Sequence, residues 1–148
     1  MKLMVSGGVV LSKNKSLIER LKINEGFSST VYQDTEGFDT IGYGFAIKDL
    51  VLTEEIASMI LNERIEKRIN HLEKTLKWFS DFPPEVQSVV VEMTYQLGVT
   101  GFLKFKKAIN HMKDKEWQLA AHEMLDSRWA KQTPNRANRL ADIVREHG

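Results

Sequence analysis

"NEGFSSTVYQDTEGFDTIGYGF", residues 24–45, sets four acids (Glu25, Asp34, Glu36, Asp39) and four glycines within twenty-two positions. Two of its segments, "STVYQ" and "FDTIGYG", are rich in β-branched and aromatic residues, and "DTEG", a turn ending in glycine, stands between them. The pattern predicts a β-hairpin. Just ahead of it, Ser16–Asn24 reads as a short helix with Leu17, Ile18 and Leu21 on one face, closed by Gly26 where a helix C-terminus favours glycine. Glu25 comes four residues after Leu21 and seven after Ile18, so it extends the apolar stripe and is expected to point inward. Burial and the negative end of the helix dipole both disfavour a charged carboxylate, and a general acid must keep its proton. Each acid also has an ordinary reading: Glu25 as a surface residue at a frayed helix end, Asp34 as a routine turn residue. Thr40, on the returning strand, is an ordinary strand residue by the same standard.

Beyond the hairpin the periodicity turns helical. Thr53 followed by Glu54 and Glu55 is an N-cap with an acidic first turn, opening a long helix in which Ile56, Ile60, Ile65, Ile69, Leu72 and Leu76 recur at near-helical spacing. Phe82-Pro83-Pro84 breaks the chain. Helical runs follow: Val86, Val89, Val90, Met93 and Leu97 before Gly98, then Phe102, Phe105, Ile109 and Met112, then Trp117 to Leu125. Thr133-Pro134 is an N-cap with proline at the first helical position, so a last helix carries Ala137, Leu140, Ala141 and Val144. The layout is α+β and mostly helical: a small lobe over 16–52, a connecting helix over 53–78 and a helical lobe over 79–148. Clefts between two such lobes are where ligands usually sit.

A chain of 148 residues, 42% hydrophobic and 28% charged, has ordinary globular composition and is expected to fold as one unit. No window reaches the apolar length of a membrane span. The absence of cysteine excludes disulfides, thiolate catalysis and the usual zinc fingers. The net charge of +1 hides an asymmetry: nine acids against Lys48 and Arg64 from Glu25 to Glu66, but ten Lys/Arg against six acids from Gly101 onward. This is either a solvated surface of mixed sign or a basic face that attracts a polyanion beside an acidic region that holds chemistry. In "MKLMVSGGVVLSKNK" two short apolar runs are split by Ser6-Gly7-Gly8, a poor secretory signal, so residues 1–15 read as a mobile extension and export would rely on another route.

The spacing Glu25, Asp34, Thr40, embedded in "EG…Y.D..G..TIGYG", recurs with two distant motifs, "YQLG" at 95–98 and "SRWAKQTPNRANR" at 127–139. Together they resemble the phage-type lysozymes of glycoside hydrolase family 24, and within that family its T-even phage members, over residues 16–148. The resemblance implies a two-lobed lysozyme-like fold and an enzyme that hydrolyses peptidoglycan between N-acetylmuramic acid and N-acetylglucosamine. By the same likeness Glu25 is the general acid, while Asp34 and Thr40 position the attacking water for a single displacement with inversion. Gln96, Phe105 and Thr133 resemble saccharide-contacting residues, although Phe105 shares a helical face with Phe102 and Ile109 and fits core packing equally well. Arg136 opposes the dipole at a helix start, so helix stability does not explain it; the resemblance implies that it faces Glu25 and that Glu36 faces Arg128. The resemblance calls for no metal or organic cofactor. It implies a monomer that meets peptidoglycan, not nucleic acid, without membrane insertion, held in a host cytoplasm until holin-dependent release for host lysis.

Two departures stand out. The motif commonly ends "GYGH", and here Phe45 takes the last place; only a short connection separates Thr40 from Thr53, which reduces one lip of the expected cleft. Rival readings are a lytic transglycosylase, which needs one glutamate and forms an anhydro product, and a catalytically silent wall-binding protein. Asp34 and Thr40 favour water as nucleophile. Nucleic-acid binding through the basic half has little support, since its basic residues are interleaved with acids.

Overall fold

The computed structural model describes residues 2–5, 8–11 and 14–147. The chain divides into two compact units, Met1–Asn62 and Glu63–Gly148.

In the first unit, strands β1 (Lys2–Val5) and β2 (Gly8–Leu11) pair antiparallel, so the segment expected as an extension contains regular structure. Helix α1 (Lys15–Glu25) follows and stops where the sequence indicates: Gly26 takes φ 68° and its N–H donates to Lys22 O at 2.9 Å. The expected hairpin is β3 (Ser28–Gln33) and β4 (Asp39–Gly42), with Gln33 opposite Asp39 and Tyr32 opposite Thr40. A third strand, β5 (Phe45–Ala46), pairs with β4 through Thr40–Ala46 and Ile41–Phe45. The chain reverses between β4 and β5 because Gly42 and Gly44 both take positive φ, 70° and 74°. Within residues 14–62, Thr40 is the one buried side chain.

Helix α2 (Glu54–Thr75) starts in the first unit and runs into the second, three residues short of the expected end. Its start is capped as expected, Ile56 N–H donating to the Thr53 hydroxyl at 3.2 Å. The Phe82-Pro83-Pro84 break precedes α3 (Pro84–Leu103), whose helical path is interrupted at Gly98 (φ 76°, ψ 164°), where the sequence indicates an end. Then come α4 (Lys106–Lys113), α5 (Trp117–Leu125), α6 (Arg128–Gln132) and α7 (Pro134–Arg145), the last with proline in its first turn. The apolar positions read from periodicity form one core in this unit: Leu72, Val86, Val89, Val90, Met93 and Phe102 are fully buried, as are Met112, Met124 and Val144. The fold is α+β and mostly helical, with a small antiparallel sheet near the N-terminus. Among the described residues no helix is long and apolar enough to cross a membrane.

Candidate active site

Four of the residues singled out in the sequence, Glu25, Asp34, Glu36 and Thr40, lie in the first unit. Glu25 is the last residue of α1, and its carboxylate rests against the β4–β5 turn: a Cβ built on Gly44 would come within 2.6 Å of Glu25 Oε2. A side chain at position 44 would be strained by the positive φ and would push the Glu25 carboxylate out of this position. The second glycine of "GYG" was the signal available in the sequence, and it marks Gly44 as a residue that places Glu25. Gly44→Ala is therefore expected to lower activity by more than its effect on stability explains. Gly98→Ala supplies a comparison, since it also has a positive φ (76°) but nothing within 4 Å of the added Cβ; equal activity losses for the two, at matched thermal stability, would remove the role of Gly44.

Asp34 closes the hairpin turn with its own side chain. Its Oδ1 accepts from the backbone N–H of Glu36 and of Phe38, both at 2.9 Å, and its carbonyl accepts from Gly37 N–H at 3.0 Å. Two backbone donors fix Oδ1, and Oδ2 accepts no hydrogen bond among the described residues. Thr40 is 3% exposed and donates its hydroxyl to Phe38 O at 2.9 Å. Asp34 N–H donates to the same carbonyl oxygen at 2.9 Å, so Phe38 O ties Asp34 and Thr40 together across the hairpin. Nothing in the sequence marks Phe38, whose contribution is a main-chain atom.

One expectation fails here. Glu25 is exposed, and α1 buries none of its residues; Leu17 and Leu21, which define its apolar stripe, are 45% and 48% exposed. Periodicity identifies a face but not whether anything covers it. The burial invoked for Glu25 is absent.

In the second unit the residues matched to saccharide contacts converge on Trp129, itself 5% exposed. Trp129 Nε1 donates to Gln96 Oε1 at 2.9 Å, the Phe105 ring meets the indole edge-on at 5.7 Å between centroids, and the Thr133 hydroxyl donates to Trp129 O at 3.0 Å. Thr133 stands at the N-cap position of α7, but its hydroxyl turns back to α6 and makes no cap, contrary to the expectation from "TP". Phe105 packs against the core, as its helical face predicts, and it also lines a depression of about 600 Å³ beside Trp129, Arg128 and Gln132. Arg128 and Glu36 are exposed. Arg136, whose place at a helix start lacked a reason, donates through Nε to Glu92 Oε2 on α3 at 2.9 Å. Forty-four residues separate that pair, and no local pattern announces it. Both partners are partly exposed, which limits the pair to under about 1 kcal/mol.

Residues 22–145 match the phage lysozyme family, and the chain belongs to that family. It is an enzyme of the lysozyme (muramidase) class, a peptidoglycan hydrolase. Two relatives from Dictyostelium discoideum span most of both chains. "Probable T4-type lysozyme 1" is 29% identical across 87% of this chain and 93% of its own length, and "Probable T4-type lysozyme 2" is 31% identical across 86% and 92%. The chain is also 28% identical to 28% of the length of the pre-baseplate central spike protein Gp5 of Enterobacteria phage T4.

Proposed function

We propose that this lysozyme cleaves the β-1,4 bond between N-acetylmuramic acid and N-acetylglucosamine by single displacement with inversion. Glu25 protonates the leaving oxygen, and Asp34 with Thr40 holds the water that attacks the anomeric carbon. The observation that carries the reading is the shared Phe38 carbonyl, which leaves two acceptors on one hairpin. Thr40 has committed its hydrogen to Phe38, so only its oxygen lone pairs remain; Asp34 has committed Oδ1 to the turn, so Oδ2 remains. A water that gives one hydrogen to each keeps a lone pair for the sugar. The Asp34 charge also stabilises the oxocarbenium-like transition state, and the inverting geometry requires about 6.5–9.5 Å between the two carboxyl groups to admit the water.

Gln96, Phe105 and Thr133 then serve as saccharide contacts, held in place by the buried Trp129. Arg136, Glu36 and Arg128 supply charges that the bound glycan meets. In its biological setting the enzyme acts as a phage endolysin that leaves the host cytoplasm by a holin-dependent route.

Mass analysis of digested, purified peptidoglycan tests the reaction type. Reducing N-acetylmuramic acid ends are expected. Anhydro-muramyl ends would transfer the chain to the transglycosylases, in which no water is needed and Asp34 and Thr40 lose their part.

A further inference from the structure

Helix α2 carries Arg64, Lys67, Arg68 and His71 at the i, i+3, i+4, i+7 spacing of a single helix face. Tyr95 and Val99 of α3 complete the wall of a concavity of about 640 Å³ that these four line, all within the second unit. The lining is one-sided in charge: two guanidinium groups, an ammonium, an imidazole and a phenol, with no carboxylate. Among the described residues neither Arg64 nor Arg68 forms a salt bridge, and Lys67 alone has a counter-charge, Glu63 Oε1 at 2.9 Å on the exposed side of the same helix. Cations three and four residues apart on a helix repel one another, so this face is less stable empty than neutralised.

The core does not call for this arrangement. Ile65, Ile69 and Leu72 give α2 its contact with the apolar interior, and the basic residues occupy a different face. Nor does the glycosidase reading use it. In the "YQLG" motif Gln96 turns to Trp129, whereas its neighbour Tyr95 is 49% exposed and lines the basic concavity instead.

We propose that this concavity binds a phosphate-bearing anion, with Arg64 and Arg68 clasping the phosphate oxygens and Tyr95 packing on the attached group. A guanidinium presents parallel N–H donors that match phosphate oxygens in pairs, and two of them one helical turn apart reach a tetrahedral anion from two sides. A single planar carboxylate is satisfied by one such fork and leaves the other unused. Lys67 can add a third donor, because an exposed i, i+4 pair with Glu63 is readily exchanged.

The test is a titration of isotope-labelled protein with inorganic pyrophosphate at constant ionic strength, so that general screening is held fixed. Saturable NMR shifts are expected at the Arg64 and Arg68 side-chain N–H groups and the Tyr95 ring. Affinity should fall by about tenfold for each arginine replaced by glutamine, the value of one charge-assisted contact. Arg64→Lys/Arg68→Lys, which keeps the charge and loses the fork, should bind more weakly than the native chain and better than Arg64→Gln/Arg68→Gln. Sedimentation with phosphatidylglycerol and phosphatidylcholine vesicles separates the sources. Retention by the anionic vesicles that is lost in Arg64→Gln/Arg68→Gln assigns the phosphate to a lipid headgroup, and pyrophosphate binding without vesicle retention assigns it to a soluble phosphate ester. The proposal is overturned if neither probe binds, or if binding survives the double replacement in a protein whose circular dichroism is unchanged.

Discussion

Replacing Glu25 by glutamine is expected to lower peptidoglycan hydrolysis by about 10²–10⁴-fold, the usual contribution of a positioned acid or base, while leaving thermal unfolding in place. Glu25 is exposed at the end of α1 and glutamine has nearly its shape, so the substitution removes an ionisable proton without opening a cavity. Asp34→Asn is the companion experiment. Asparagine keeps an Oδ1 that can accept from Glu36 and Phe38 N–H, so the turn is retained and the loss reports the missing negative charge. Near-native rates on purified peptidoglycan in both variants would mean that these carboxylates hold structure and that the chemistry lies elsewhere.

The second large effect falls on stability. Trp129→Ala is expected to destabilise the protein by about 3–5 kcal/mol, the range for removing a large aromatic side chain from a core. The indole is buried and carries the Phe105 contact and the Gln96 hydrogen bond together. Trp129→Phe separates these roles: most of the volume stays, Nε1–H is lost, and Gln96 Oε1 must find another donor. Chemical denaturation should place it about 1–2 kcal/mol below the native chain, with weakened saccharide binding. An Ala variant as stable as the native protein would show that Gln96, Phe105 and Thr133 are placed without Trp129.

What the sequence discloses follows the range of the interaction. Gly26 ending α1, Thr53 capping α2 and Pro134 starting α7 are settled within four residues, and each lies where residue type predicts. The β3–β4 hairpin is likewise local, with glycine and Asp34 in its turn. β5 escapes because two residues are too few to show alternation. Thr133 misleads for a different reason: its hydroxyl can serve its own helix or the preceding one, and only the nearness of Trp129 O decides. Long-range partners leave no trace at all. Trp129 finds Gln96 across thirty-three positions and Arg136 finds Glu92 across forty-four, distances at which spacing carries no information.

The candidate site divides in the same way. Glu25, Asp34 and Thr40 are legible as a set because they occupy one helix end and one hairpin, whereas the exposure of Glu25 depends on whether other chain covers α1. The atoms that fix Asp34 and Thr40 are backbone groups of Glu36 and Phe38, and any residue can supply those except proline as a donor. Gly44 lies between these cases: its type is visible, but its reason, the carboxylate it must admit, is not.

The anomeric configuration of the first-formed product tests most directly the claim that water bound to Asp34 and Thr40 attacks the sugar in one step. Time-resolved proton NMR of a β-linked peptidoglycan oligosaccharide, recorded before mutarotation, should show the new reducing end in the α configuration. A product released as the β anomer would mean that a covalent intermediate precedes water, and the roles given to Asp34 and Thr40 would be wrong.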